Sequence, residues 1–237
     1  MLKEATTMIG HSRFAIYWAP EAGRFADATS AWLGWDAISG REVPHLAVDG
    51  LPRPASEITA SPRTYGFHGT IKPPFRLSEG ASAEDLDLAL RSLCLAHPPL
   101  LPGDLSIARL GGFVALTPRG DEAGLRALAA TVVRELDRFR APATEAEIAR
   151  RMPDRLTSRQ KSNLLRWGYP YVMEDFRFHL TLTGELPLAE TVQVERALSP
   201  ILGPVLPHPF VIDSLCLFGQ SKHDGRFRLL HRYPLKG

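Results

Sequence analysis

Apolar and polar positions along this chain switch between a two-residue and a 3.6-residue period. Residues 13–18 (RFAIYW) alternate aromatic and β-branched side chains up to Pro20 and predict a strand. Residues 26–33 predict a short helix. The tract 39–64 has no period and carries prolines at 44, 52, 54 and 62, which predicts a lid, a binding loop or a disordered excursion. Residues 65–75 (YGFHGTIKPPF) predict a strand stopped by Pro73-Pro74, because proline donates no ladder hydrogen bond.

The second half repeats this alternation. A helix is expected over 82–96, with Ser82 as N-cap and Asp85 completing a capping box. Runs at 105–110 and 113–117 flank Gly111-Gly112 and predict a hairpin. Leu125, Leu128, Val132, Leu136 and Phe139 recur at helical spacing over 121–139. Residues 144–166 carry Arg150, Arg151, Arg155, Arg159, Lys161 and Arg166 and read as a solvated connector with a short helix at 158–167. A strand at 176–183 (FRFHLTLT), a helix at 188–198 and two apolar runs bracketing Asp224-Gly225 complete the chain. Strands alternating with helices and closing hairpins predict an α+β fold with largely antiparallel sheets.

Placing the two histidine strands side by side exposes a repeat. Phe67-His68-Gly69-Thr70-Ile71 and Phe178-His179-Leu180-Thr181-Leu182 both read F-H-x-T-aliphatic. With eight histidines in 237 residues, one such match is unremarkable, but two arise in about one random chain in a thousand or fewer. Strand alternation puts His68 and Thr70 on one face, and His179 and Thr181 likewise. Each polar pair can then face a cleft while its apolar neighbours pack against helices. If a pseudo-twofold axis relates the halves, two imidazoles and two hydroxyls share one cavity.

Imidazoles with pKa values near 6.5 can serve as base and acid at one pH, and threonine hydroxyls can donate to the non-bridging oxygens of a phosphoryl group. Displacement at phosphorus by this route uses no metal or other cofactor. The symmetry leaves the two histidines equivalent as base and acid. Continued alternation would add Lys72 to the first polar face and Arg177 and Thr183 to the second, as cations and donors for a phosphate. Tyr65, Tyr169 and Tyr171 precede the motif strands and offer rings to a sugar or base.

Composition narrows the setting. Lys plus Arg number 28 against 26 Asp plus Glu, a net charge of +2 that is too even for tight binding to long nucleic acid through phosphate neutralisation. Hydrophobic residues at 44% and charged residues at 23% match ordinary globular proteins and exclude disorder. Cys94 and Cys216 sit in apolar runs and read as buried thiols. No apolar stretch approaches the length of a membrane span, and the polar N-terminus has no apolar signal core, so a cytoplasmic protein is expected. No glycine-rich phosphate loop follows a strand.

The paired FHGTI and FHLTL motifs resemble the duplicated His-x-Thr signature of the 2H phosphoesterase superfamily, which includes cyclic phosphodiesterases and LigT-like 2′-5′ RNA ligases. With RFAIYWAP, WGYPYVMEDFRFHLTLTG and LCLFGQ, the chain further resembles an uncharacterised branch associated with phosphonate-utilisation operons. The resemblance implies a bilobal LigT-like fold over 13–235 behind an N-terminal extension at 1–12, with two pseudo-twofold-related lobes around a central cleft. It implies metal-independent phosphodiester chemistry with His68, Thr70, His179 and Thr181 as the catalytic set. Lys72, Arg177, Thr183, Tyr65 and Tyr171 are the substrate-binding candidates. The expected ligand is a small cyclic phosphate or phosphodiester, phosphoribosyl or nucleotide-like, and the protein is expected to be a monomer. The alternatives are a phosphometabolite-binding module without turnover and a protein acting on RNA ends.

Overall fold

The computed structural model describes residues 10–152 and 156–237. Strand β1 (His11–Trp18) leads to α1 (Arg24–Leu33), a two-stranded ribbon of β2 (Trp35–Asp36) and β3 (Arg41–Glu42), and single-turn helices α2 (Ala55–Ile58) and α3 (Ala60–Arg63). Next come β4 (Gly69–Phe75), α4 (Ala83–Leu95), the hairpin β5 (Leu105–Leu110) and β6 (Phe113–Pro118), and α5 (Ala123–Glu135). Helices α6 (Glu145–Arg151) and α7 (Ser158–Trp167) precede β7 (Leu180–Thr181), α8 (Leu188–Leu202), β8 (Ser214–Ser221) and β9 (Phe227–Pro234).

Seven strands form one sheet in the order β5-β6-β7-β4-β1-β8-β9, with every pairing antiparallel. The α+β architecture expected from the sequence is present: a large antiparallel sheet flanked by helices. The strands of both halves join in a single sheet, and the two motif strands are immediate neighbours at its centre. Strand β1 is buried on both sides, which explains its near-continuous apolar run. Phe14, Ile16 and Trp18 enter the main core with Trp32, Leu86, Leu90, Leu128, Val132 and Val194 from the helices. Ala15 and Tyr17 face the other way, into a smaller cluster with Trp35, Phe218 and Phe227.

Local signals account for the helix ends. The Ser82 hydroxyl accepts from the Asp85 amide, as the capping pattern predicts, and α6 and α7 each begin with a complete capping box at Thr144 and Thr157. Helix α7 stops at Gly168, whose left-handed backbone (φ 75°) closes the last turn.

Three expectations change. The tract 39–64 is packed rather than free: Val48 and Leu51 lie against the core, Ile58 is buried, and Arg53 pairs with Glu190 on α8 at 2.8 Å. Strand β4 begins only at Gly69 and runs through Pro73 and Pro74 to Phe75. The prolines fall where the register against β1 shifts, so their missing donors interrupt no regular ladder. The strand expected over 176–183 contracts to Leu180–Thr181. Within the basic connector, Arg159 forms a salt bridge to Asp175 at 2.7 Å and Arg166 lies over Trp167, while Arg155 lies outside the described residues, as do residues 1–9 of the expected N-terminal extension. No helix among the described residues is long and apolar enough to cross a membrane.

Candidate active site

The site is organised by one backbone pairing. Gly69 of β4 lies opposite Leu180 of β7 in antiparallel register. That register sets His68 across from Thr181 and Thr70 across from His179, so a local twofold axis passes between the middle residues of the two motifs. Directly opposite residues hold their Cβ atoms about 5 Å apart, which brings all four polar side chains to one patch. His68, Thr70, His179 and Thr181 all line a single cavity of about 990 Å³.

Both imidazoles are fixed alike. Nδ1 of His68 lies 2.9 Å from the Gly66 carbonyl, and Nδ1 of His179 lies 2.9 Å from the Arg177 carbonyl, each two residues upstream. A carbonyl only accepts, so each Nδ1 carries the proton and each Nε2 presents its lone pair when the ring is neutral. The Thr70 hydroxyl sits 3.1 Å from His68 Nε2. The Tyr17 ring stacks on His68 with centroids 3.8 Å apart, and Phe113 lies 5.6 Å from the His179 ring.

The two rings differ in electrostatic setting. Burial, opposed by the Gly66 carbonyl and reinforced by repulsion from His179, lowers the His68 pKa to about 4. Burial also lowers His179 from its ordinary value, against the favourable Arg177 carbonyl. Burial thus disfavours the charged form of both rings.

Of the other predicted residues, Arg177, Tyr65 and Tyr171 line the same cavity, as does Tyr169, whereas Lys72 and Thr183 do not. The reason is the same in both motifs. Ile16 pairs with Lys72 while Tyr17 pairs with Thr70, so one extra residue, Ile71, bulges out and turns Lys72 to the helix-covered face. The amides of Leu182 and Thr183 both reach the Val114 carbonyl, at 2.9 and 3.2 Å, and Thr183 turns inward. Its hydroxyl accepts from the Val114 amide and donates to the Gly184 carbonyl. The period-two continuation that selected Lys72 and Thr183 fails one residue past each motif threonine.

Lys72 is 1% exposed, with Nζ donating to the Val133 carbonyl at 3.1 Å and lying 3.4 Å from Asp137, which also binds Arg140 at 2.7 Å. Burial lowers its pKa to about 8, the Asp137 charge opposing. A lysine that titrates lower when folded destabilises the native state below that pKa, and the penalty is relieved as pH rises toward the unfolded value near 10.5. Lys72→Met should therefore raise stability at pH 7, by on the order of 1–3 kcal/mol, with Asp137 still paired to Arg140. Urea midpoints should show the gain at pH 7 and a smaller one at pH 10; a large loss at pH 7 would mean that the ion pair holds β4 to the turn that follows α5.

Several cavity residues had no sequence signal. Tyr17 and Arg13 lie on the cleft side of β1, but that strand is apolar on both faces and hides its own parity. Arg109 and Arg151 also line the cavity, Arg109 already paired with Glu195 at 2.8 Å. With Arg13 and Arg177 they give four arginines against one lining carboxylate, Asp175, itself bound by Arg159. The charge of this lining favours an anion over a cation. Among the described residues no group of three His, Cys, Asp or Glu side chains comes together as a metal-ligand set.

This chain is similar to several known proteins. It is 35% identical over 232 residues to "Ribose 1,5-bisphosphate phosphokinase PhnN" of Janthinobacterium sp. (strain Marseille), covering 95% of this chain and 51% of that protein. The same-named protein of Laribacter hongkongensis (strain HLHK9) is 34% identical over 219 residues, covering 92% and 50%. The chain spans about half the length of these curated relatives. Among solved structures, a phosphoesterase aligns over 96% of this chain and 99% of its own at 17% identity and a TM-score of 0.42. E. coli LigT complexed with 3'-AMP aligns over 95% and 99% at 14% identity and the same TM-score. The profile of the family described as "Protein of unknown function (DUF1045)" matches residues 70–228, and the chain belongs to the DUF1045 family.

Proposed function

We propose that this chain is a phosphoesterase that opens a cyclic phosphate on a ribose by two-histidine acid–base catalysis, without a metal. The observation that carries this reading is the Gly69–Leu180 register, which gathers both His-x-Thr pairs at one patch of an arginine-lined cleft. His68, the ring with the lower pKa, is the base: Nε2 takes a proton from the attacking water. The new P–O bond forms as the ring P–O bond opposite it breaks, and His179 Nε2–H protonates the departing sugar oxygen. Thr70 and Thr181 donate to the non-bridging oxygens, where charge accumulates. Thr70 has one hydroxyl proton, so turning it toward phosphate frees the His68 lone pair for water. Arg177, exposed beside His179 and in no salt bridge among the described residues, holds the phosphate anion.

The curated relatives suggest the sugar. They are named for a kinase of ribose 1,5-bisphosphate, and this chain, about half their length, has no phosphate loop of the G-x-x-x-x-G-K-[ST] type to support kinase chemistry. Hydrolysis of a 1,2-cyclic phosphate on ribose 5-phosphate, with O2 leaving, yields ribose 1,5-bisphosphate. A chain with that activity would supply the compound named in the relatives. The Tyr169–Tyr171 pair, rings 5.8 Å apart, favours a second reading, in which a base stacks in the cleft and the substrate is a 2′,3′-cyclic phosphate at an RNA end.

The test is ³¹P NMR of 5-phosphoribosyl 1,2-cyclic phosphate and of 2′,3′-cyclic AMP with the protein in excess EDTA. The ring-phosphate signal should convert to a monoester, faster for the ribosyl compound. The reverse preference selects the RNA reading. No conversion of either compound, or conversion that EDTA abolishes, rejects the two-histidine mechanism.

A further inference from the structure

We propose that the cleft holds a second anion site, built from Arg13, Tyr17 and Tyr65 on the His68 side, which selects a substrate carrying a phosphate monoester apart from the ring phosphate. The assignment rests on the cyclic-phosphate reading for its substrate, and on geometry for its location. All three side chains gather around the Phe227 ring: Tyr65 stacks on it with centroids 5.1 Å apart, Tyr17 tilts against it at 6.1 Å, and the Arg13 guanidinium lies 5.7 Å from its centre. They therefore occupy one corner of the cavity, joined to the motif through Tyr17, whose ring stacks on His68.

Arg13 is held ready. Its Nε donates to Gln220 Oε1 at 2.6 Å, and Gln220 is itself anchored by donation to the Gly225 carbonyl at 2.7 Å. That bond uses one edge of the guanidinium and leaves the two Nη groups, which pair with no carboxylate among the described residues. A planar fork fixed in this way suits a phosphate better than a flexible ammonium would. Tyr17 is 1% exposed, yet its hydroxyl has no hydrogen-bond partner among the described residues, and neither has that of Tyr65. Neither hydroxyl is closed off from solvent, so each opens from a residue that lines the cleft, where a ligand oxygen can take the place of water as its partner. Burial also keeps the Tyr17 phenol protonated, as a donor. Arg177, which adjoins His179 on β7's side of the cavity, and Arg13, which lines it from β1, can then each take one phosphate of a bisphosphate product.

Isothermal titration with ribose 5-phosphate and with ribose tests the site without turnover. The wild type should bind the phosphate ester and show no heat with ribose. Arg13→Gln should weaken ribose 5-phosphate at least tenfold, and Tyr65→Phe, which keeps the ring and its stacking, several-fold. His179→Ala, across the cleft, should retain the affinity. Unchanged binding in Arg13→Gln and Tyr65→Phe, or loss of binding in His179→Ala, would overturn the proposal, the latter because the ester would be sitting at the reacting centre. In turnover, Arg13→Gln should reduce the preference in kcat/KM for 5-phosphoribosyl 1,2-cyclic phosphate over ribosyl 1,2-cyclic phosphate at least tenfold; an equal loss on both substrates counts against the site. Failure of the hydrolase reading appears separately, as cyclic phosphates left intact by a protein that still binds ribose 5-phosphate.

Discussion

Replacing either motif histidine by alanine should lower kcat for cyclic-phosphate hydrolysis by roughly 10²- to 10⁴-fold, the scale of acid–base catalysis. Both rings act in one step, so the double variant should fall little below the worse single one. The pH profile separates their roles. For wild type, kcat/KM should climb from acid pH as His68 loses the proton held with a pKa of about 4, and decline as His179 loses its own below the ordinary histidine value. The optimum should therefore lie on the acid side of pH 6.5. His68→Ala should erase the rising limb from the residual activity, and His179→Ala the falling one. Limbs lost in the opposite order would reverse the assignment, and variants within threefold of wild type would remove both rings from the chemistry.

The quartet was legible because it rests on identity at short range. Two copies of F-H-x-T-aliphatic declare which residues share a face without knowledge of strand order. What lies one step further was not legible. The bulges after Thr70 and Thr181 depend on the partners Ile16 and Val114, residues far away in the chain, and they send Lys72 and Thr183 into the interior. Pro73-Pro74 was the only local hint, since a central strand tolerates proline only where its ladder is irregular. Tyr17 and Arg13 were hidden for another reason. Strand β1 packs on both faces, and a run apolar on both sides carries no parity to read. The tract 39–64 looked like a lid because it lacks a period, yet Val48, Leu51 and Ile58 were enough to fasten it.

The second large effect should come from a residue with no chemistry of its own. Gly69, the variable position of the first motif, faces Phe178, the leading aromatic of the second: a Cβ placed on Gly69 would meet the Phe178 ring carbons at 2.2 and 2.4 Å. Phe178 is buried in the main core, between Gly69 and Phe210, whose ring lies 6.0 Å away, so it has little room to retreat. The glycine thus lets β4 and β7 approach closely enough for Thr70 to lie across from His179, linking core packing directly to the site. Gly69→Ala should cost about 1–3 kcal/mol by overpacking. The same strain acts on the strand pair that positions the quartet, and a displacement near 1 Å is enough to cost about 10²-fold in rate. Activity should therefore fall further than the loss of folded protein explains. Phe178→Leu in the Gly69→Ala background should recover part of both losses, a coupling that thermal melts and kcat can each read through a double-mutant cycle. Additive losses in that cycle, or a Gly69→Ala protein with wild-type kcat, would show that the contact between the two motifs does not set the spacing of the site.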